Sequence, residues 1–256
     1  MKIAYPLTLL FTASCLSLNV MAAEFEFDRP GTGFGTGITP VGKVAWEQGL
    51  PTASYQESRV NGQLAKQLTL NADTVLRTGL MDGLELQLGW AGPTWTQVKH
   101  AGQTHEEDGL GDVSIALKKA IDLNDDKLSM AVMAEAILAT GDDGFTVDDD
   151  IYSVGSTVDY QYNDLVNTSI TMRYEVQDGN WTVTAVPTLG YKIVGKLSGF
   201  SELVYRKAES QNYQYQLGSG LIYALSDRAQ FDASVGVDLS QEQRAYSAGL
   251  GFSYLF

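Results

Sequence analysis

The sequence predicts an all-β protein, a transmembrane antiparallel meander β-barrel of about twelve strands. Three observations carry that reading. From Thr69 onward, segments of about ten residues alternate apolar and polar side chains with period two. The connections between them alternate between short turns and long polar stretches. Aromatic residues recur at the two ends of the same segments. No run of eighteen apolar residues follows the N-terminal stretch, which excludes a membrane-spanning helix and leaves strands as the only means of crossing.

The chain begins "MKIAYPLTLLFTASCLSLNVMAAEFEF", with Lys2 before an apolar stretch and small residues at Ala22 and Ala23. Residues 1–23 therefore read as a secretory signal peptide, cleaved after Ala22 or Ala23. Cys15, the single cysteine, falls inside it, and Thr12 departs from the leucine expected ahead of a lipid-modified cysteine. The mature chain then has no thiol for a disulfide or a thiolate metal site. Residues 24–42 hold Gly31, Gly33, Gly35 and Gly37 between Pro30 and Pro40, a composition that favours neither strand nor helix. Two readings stand for them: a compact irregular segment folded into the periplasmic mouth, or a loose periplasmic tail of the kind chain termini commonly form. In the first, Glu24, Glu26, Asp28 and Arg29 can pair with lumen charges, and Phe25, Phe27 and Phe34 can find shelter.

Residues 43–256 supply the barrel. The expected strands are Lys43–Leu50, Thr69–Leu80, Leu84–Trp90, Asp112–Ile121, Lys127–Ala139, Ile151–Tyr160, Leu165–Val176, Trp181–Tyr191, Leu197–Arg206, Tyr213–Tyr223, Ala229–Leu239 and Tyr246–Phe256. Short turns such as "LMDGL", "YND" and "LSDRA" follow the even members, and stretches such as "PTASYQESRVNGQ" and "AGPTWTQVKHAGQTHEEDGLG" follow several odd ones. "VQDGN" and "SQEQR" are short despite falling on the long side. An even strand number with this parity puts both termini on the periplasmic rim. Tyr152, Trp181, Tyr213 and Tyr246 open even strands that Tyr160, Tyr191, Tyr223 and Phe256 close. Pairs ten residues apart span roughly 25 Å at the usual rise and tilt, the height of an outer-membrane apolar band.

The final strand, "AYSAGLGFSYLF", shows the pattern most plainly: its apolar parity faces lipid, and its glycine and serine parity faces the lumen. Phe252, Tyr254 and Phe256 form the expected signal for the outer-membrane assembly machinery. If the aromatics face lipid, the lumen receives Asp73, Arg77, Glu85, Gln87, Asp112, Lys118, Glu135, Asp159, Arg173, Glu175, Glu202, Arg206, Gln214, Gln216 and Asp232. In a dry core these charges would each cost several kcal/mol unless paired, whereas a wet lumen accepts them.

The excess of 31 acidic over 17 basic side chains excludes a nucleic-acid partner. Catalysis is not expected, since His100 and His105, the only histidines, sit in the longest loop with no strand to hold them against a serine. The stretch "GDDGFTVDDD" offers Asp142, Asp143, Asp148, Asp149 and Asp150 to a divalent cation but lacks calcium-loop spacing, so a solvated loop is expected. No cofactor is expected. The expected partners are outer-membrane lipid, lipopolysaccharide and a small-molecule solute.

"DRPGTGFGTGITPVGKVAWEQGLP", "GLGDVSIALKKAI" and "LATGDD" resemble the outer-membrane proteins grouped as the phenol-degradation meta-pathway, or transporter, family. The resemblance implies an outer-membrane β-barrel of a Gram-negative bacterium, a transporter of small solutes with members encoded beside catabolic pathways for aromatic compounds, so hydrophobic or aromatic solutes are candidates, and it brings no catalytic residues. A non-conducting structural or adhesion barrel is the alternative reading.

Overall fold

The computed structural model describes residues 25–239 and 244–256. The segment read as a signal peptide and the stretch "SQEQ" fall outside them. The strands are β1 (Val44–Val60), β2 (Gln63–Asn71), β3 (Thr74–Met81), β4 (Leu84–Trp90), β5 (Pro93–His100), β6 (Gln103–Leu110), β7 (Val113–Ile121) and β8 (Leu128–Leu138). They continue as β9 (Ile151–Asn163), β10 (Val166–Gln177), β11 (Asn180–Val194), β12 (Leu197–Ala208), β13 (Gln214–Ser226), β14 (Ala229–Asp238) and β15 (Arg244–Leu255).

Twelve of these close a single antiparallel ring. Its order is β1, β3, β4, β7 and then β8 to β15 in sequence, with β15 returning to β1 through pairs such as Trp46↔Tyr254 and Gly49↔Gly251. The other three extend the wall on one side, where β2 pairs with the upper half of β1, β5 with β2, and β6 with β5.

This extension corrects the sequence reading, which assigned residues 51–63 and 91–111 to loops. They are strands, and His100 and His105 lie on β5 and β6. Alternation failed to mark them because above the lipid both faces of a ribbon meet water, so nothing separates an apolar from a polar parity. The turns carried the signal instead: Asn61-Gly62 and Ala101-Gly102 have φ of 52° and 78° in each pair, the left-handed geometry of tight hairpins.

Between β2 and β3, β4 and β5, and β6 and β7 the ladder is interrupted but not lost. Ala72 donates to Pro93 O at 3.2 Å, Ala91 to Asp112 O at 2.8 Å and Gly111 to Gly92 O at 2.9 Å. Gly92, at φ 77°, presses against the Ala72 carbonyl where a side chain would collide. Pro93 adds no donor.

The molecule is apolar outside and polar inside. Leu76, Leu88, Ile115, Leu117, Ile170, Leu217, Val235 and Leu250 are exposed on the outer surface, and Tyr152, Tyr160, Tyr213, Tyr223, Tyr246 and Phe256 are exposed with them. The largest fully buried side chains are Arg77, Lys118, Glu47 and Glu85. That inversion is what a porin-like outer-membrane barrel requires.

Candidate functional site: the occupied lumen

Residues 25–43 thread the lumen and bond to the wall from β1 to β15. The Glu47 carboxylate accepts the amides of Asp28 at 3.1 Å and Arg29 at 2.8 Å. Glu202 accepts Thr32 N at 3.1 Å and Thr32 Oγ1 at 2.7 Å, while Glu85 accepts Thr39 N at 2.6 Å. Gln230 donates to Arg29 O at 2.9 Å. Phe34 is buried with Ala116, Ala131 and Met133. The segment's glycines allow this close fit: a Cβ on Gly33 would lie 2.6 Å from Thr171 Oγ1, and Gly31 holds φ 126° beside Phe200 and Glu202. A glycine-rich backbone with little side-chain bulk lets wall carboxylates accept main-chain N–H groups directly.

At the centre lies an ion network. Arg77 bonds Glu47 at 2.7 Å and Glu85 at 3.0 Å, donates to Gly37 O at 3.1 Å and Glu26 O at 3.0 Å, and approaches Asp28 at 3.5 Å. Lys118 bonds Asp28 at 2.9 Å and Glu85 at 3.3 Å. The Arg77 and Lys118 side chains have 0% exposure. Burial removes water's screening, so each charge needs its partners. Arg77 also stacks over Phe25 and Lys118 over Phe34, at 5.4 and 5.9 Å from the ring centroids.

Of the residues expected in the lumen, the structure gathers Arg77, Glu85 and Lys118 into this network and ties Asp73 to it through Arg29 at 2.9 Å. Gln87 joins by donating to Asp28 at 3.0 Å. Elsewhere Glu135 pairs with Arg173 at 3.4 Å, Asp159 accepts Asn167 at 2.6 Å, and Glu202 holds Thr32 of the threaded segment. Glu175 and Arg206 line a cavity of about 420 Å³ at the loop rim. Gln214 lies opposite Arg206 across the β12–β13 ladder.

Asp112 sits apart, buried at the foot of the acidic loop. Its carboxylate accepts Thr140 N at 2.9 Å, Gly141 N at 2.8 Å, Val147 N at 2.8 Å and Thr146 Oγ1 at 2.7 Å. Burial pushes this carboxyl up, but the Thr146 hydroxyl and the three amides outweigh that and hold it below its ordinary value. Asp142 and Asp150 likewise accept backbone amides, of Leu110 at 2.8 Å and Ala139 at 2.9 Å. Among the described residues no three His, Cys, Asp or Glu side chains are placed to share a metal ion.

Sequence reasoning missed Glu47 and Gln230. Parity marks Glu47, which lies one residue from the lipid-side Trp46 on β1. Parity marks Gln230 as well, since it lies beside the outward Phe231 and two residues from Asp232 on β14.

A family model described as the putative MetA-pathway of phenol degradation matches residues 27–256. No curated protein matches the chain by sequence. Among solved structures, an outer membrane channel from Pseudomonas putida F1 is similar at 12% identity and TM-score 0.64, with 85% of this chain and 96% of that chain covered. The translocator domain of the autotransporter NalP from Neisseria meningitidis is similar at 11% identity and TM-score 0.55, covering 89% and 90%. The KdgM porin in complex with disordered oligogalacturonate is similar at 12% identity and TM-score 0.52, covering 79% and 98%. At these identities the likeness is one of fold.

Proposed function

The chain belongs to the putative MetA-pathway of phenol degradation family, and we propose on that premise that it is an outer-membrane channel for small solutes, narrowed by its own N-terminal segment. The observation that carries this reading is the lumen itself: a polar interior holds a glycine-rich strap on hydrogen bonds and ion pairs instead of on a packed apolar core. A sealed structural barrel has no need of a separate segment to close it, whereas a passage wider than its side chains can fill does. The rim carrying both chain termini and the short turns faces the periplasm, and the long hairpins β1–β2 and β5–β6 face outward. The outer aromatics sit at the lipid boundaries, and the last strand is read by the assembly machinery. Aromatic compounds enter this reading through the family's description alone; the lumen's own chemistry selects for small size and polar contacts.

The test is removal of Glu24 to Gly37 with the signal kept. The truncated protein should fold to a similar yield and give larger single-channel conductance and faster antibiotic uptake. Conductance unchanged from the full-length chain would show that the segment does not obstruct a passage.

A further inference from the structure

The three cations at the lumen's centre are not held alike. Arg77 and Lys118 are fully buried and each bonds two or more carboxylates. Arg29 keeps 16% of its side chain exposed, and its Nε has no hydrogen-bond partner. It bonds Asp73, itself 32% exposed, and reaches Asp232 only at 3.5 Å. Both carboxylate oxygens of Asp232 lack a hydrogen-bond partner although its side chain has 0% exposure. The opposing strand position is Gly251, where a Cβ would lie 2.5 Å from Arg29 Nε and 2.6 Å from the Asp232 oxygens. Arg29 and Asp232 thus pack tightly against the Gly251 backbone, and the place beside Asp232 is the one that Arg29 itself occupies on a single long ion pair.

Charge runs the same way along the route. The network sets the carboxylates of Asp28, Glu47, Asp73, Glu85 and Asp232 against Arg29, Arg77 and Lys118. Two negative charges are in excess. The cavity at the loop rim is lined by Asp148, Asp149, Glu175, Asp178 and Glu209, with Arg206 as its one cation and Trp181 beside them. An anion entering meets one cation without a carboxylate partner, Arg206 at the rim, set among five carboxylates, whereas a cation finds carboxylates in excess and at Asp232 one held by a single 3.5 Å ion pair.

We propose that this constriction selects cationic solutes, monovalent cations and small compounds bearing an ammonium or guanidinium group, and that Arg29 is the exchangeable member whose place between Asp73 and Asp232 the passing cation takes. This rests on the channel reading above. The incoming group supplies the hydrogen bonds that Asp232 lacks, so Arg29 swings off the wall without leaving a bare buried carboxylate. Rings and clusters of carboxylates confer cation preference in pores by this kind of local enrichment.

The experiment is a reversal-potential measurement on the purified full-length protein in planar bilayers across a KCl gradient. The wild type should reverse on the potassium side, with a potassium-to-chloride permeability ratio of roughly ten, the low end of enrichment in a charged cleft. Asp232→Asn should move the reversal toward zero, and Asp73→Asn, at a more exposed site, should do the same where the first variant folds poorly. Arg29→Gln should raise conductance and strengthen potassium preference. Dilute guanidinium chloride should increase wild-type open probability and leave Arg29→Gln unaffected. Reversal at zero or on the chloride side in the wild type, or no shift in either aspartate variant, overturns the proposal while leaving a channel. Folded wild type and Arg29→Gln that give no current steps at all overturn the channel reading and this inference with it.

Discussion

Arg77 bears more of the interior than any other side chain, since its guanidinium touches β1, β4 and two carbonyls of the threaded segment. Replacing it by leucine leaves buried Glu47 with backbone amides but no cation, and Glu85 with Lys118 as its one cation. The expected loss is about 3–5 kcal/mol, the usual consequence of removing one partner from a buried pair, read by urea unfolding in lipid vesicles. Arg77→Leu with near wild-type stability would mean that water already fills the network. Asp112 gives a pH-dependent test at the loop rim. Its folded value is lowered, so its contribution is present above the unfolded carboxylate value and is lost as pH falls through the folded one. Amide exchange at Thr140, Gly141 and Val147 should stay slow through the ordinary carboxylate range and quicken only in stronger acid. In Asp112→Asn the same amides should exchange fast at neutral pH.

Strand parity decides the outcome of substitutions along a single element. On β15, Leu250 is 57% exposed on the outer face, while Gly249 is buried with Thr52 Oγ1 and Ser234 Oγ at 3.2 and 3.3 Å from its would-be Cβ. Leu250→Arg puts a charge in lipid and should cost about 2–4 kcal/mol near the midplane. Gly249→Arg should act by crowding the lumen, with altered conductance as its main effect. Refolding in vesicles of one thickness compares them, and a larger stability loss at Gly249 would reverse the parity. The same parity, read from Trp46, would have assigned Glu47 to the lumen. It could not have found β5 and β6, where "QTHEEDGL" is polar on both faces because both meet water.

Closure is a property of the whole molecule, and it falls to the chain's last residues. β15 pairs with β14 and β1 together, Phe256 N donates to Val44 O at 2.9 Å, and the Phe256 ring meets Tyr254 edge-on at 4.8 Å. Phe252 packs against Phe231 on one neighbour and Trp46 on the other, at 5.0 and 6.0 Å. Deleting Phe256 should therefore reduce heat-modifiable folded protein in the outer membrane, through loss of both the seam contact and the proposed assembly signal. An unchanged folded fraction on unheated gels would remove Phe256 from both roles.

The sequence by itself determined the number of strands in the closed ring and their inward and outward parity. Each is written locally, because every membrane strand meets two different media and its side chains alternate between them. Only the tertiary structure decided which lumen charges meet. Asp28 reaches Lys118 across 90 residues, Thr32 reaches Glu202 across 170 and Gln230 reaches Arg29 across 201. Those partnerships depend on the stagger with which the sheet closes and on the path the N-terminal segment takes through it. Neither leaves a period in the sequence, since a carboxylate facing a lumen has the same local pattern whether it meets water, a lysine or a backbone amide.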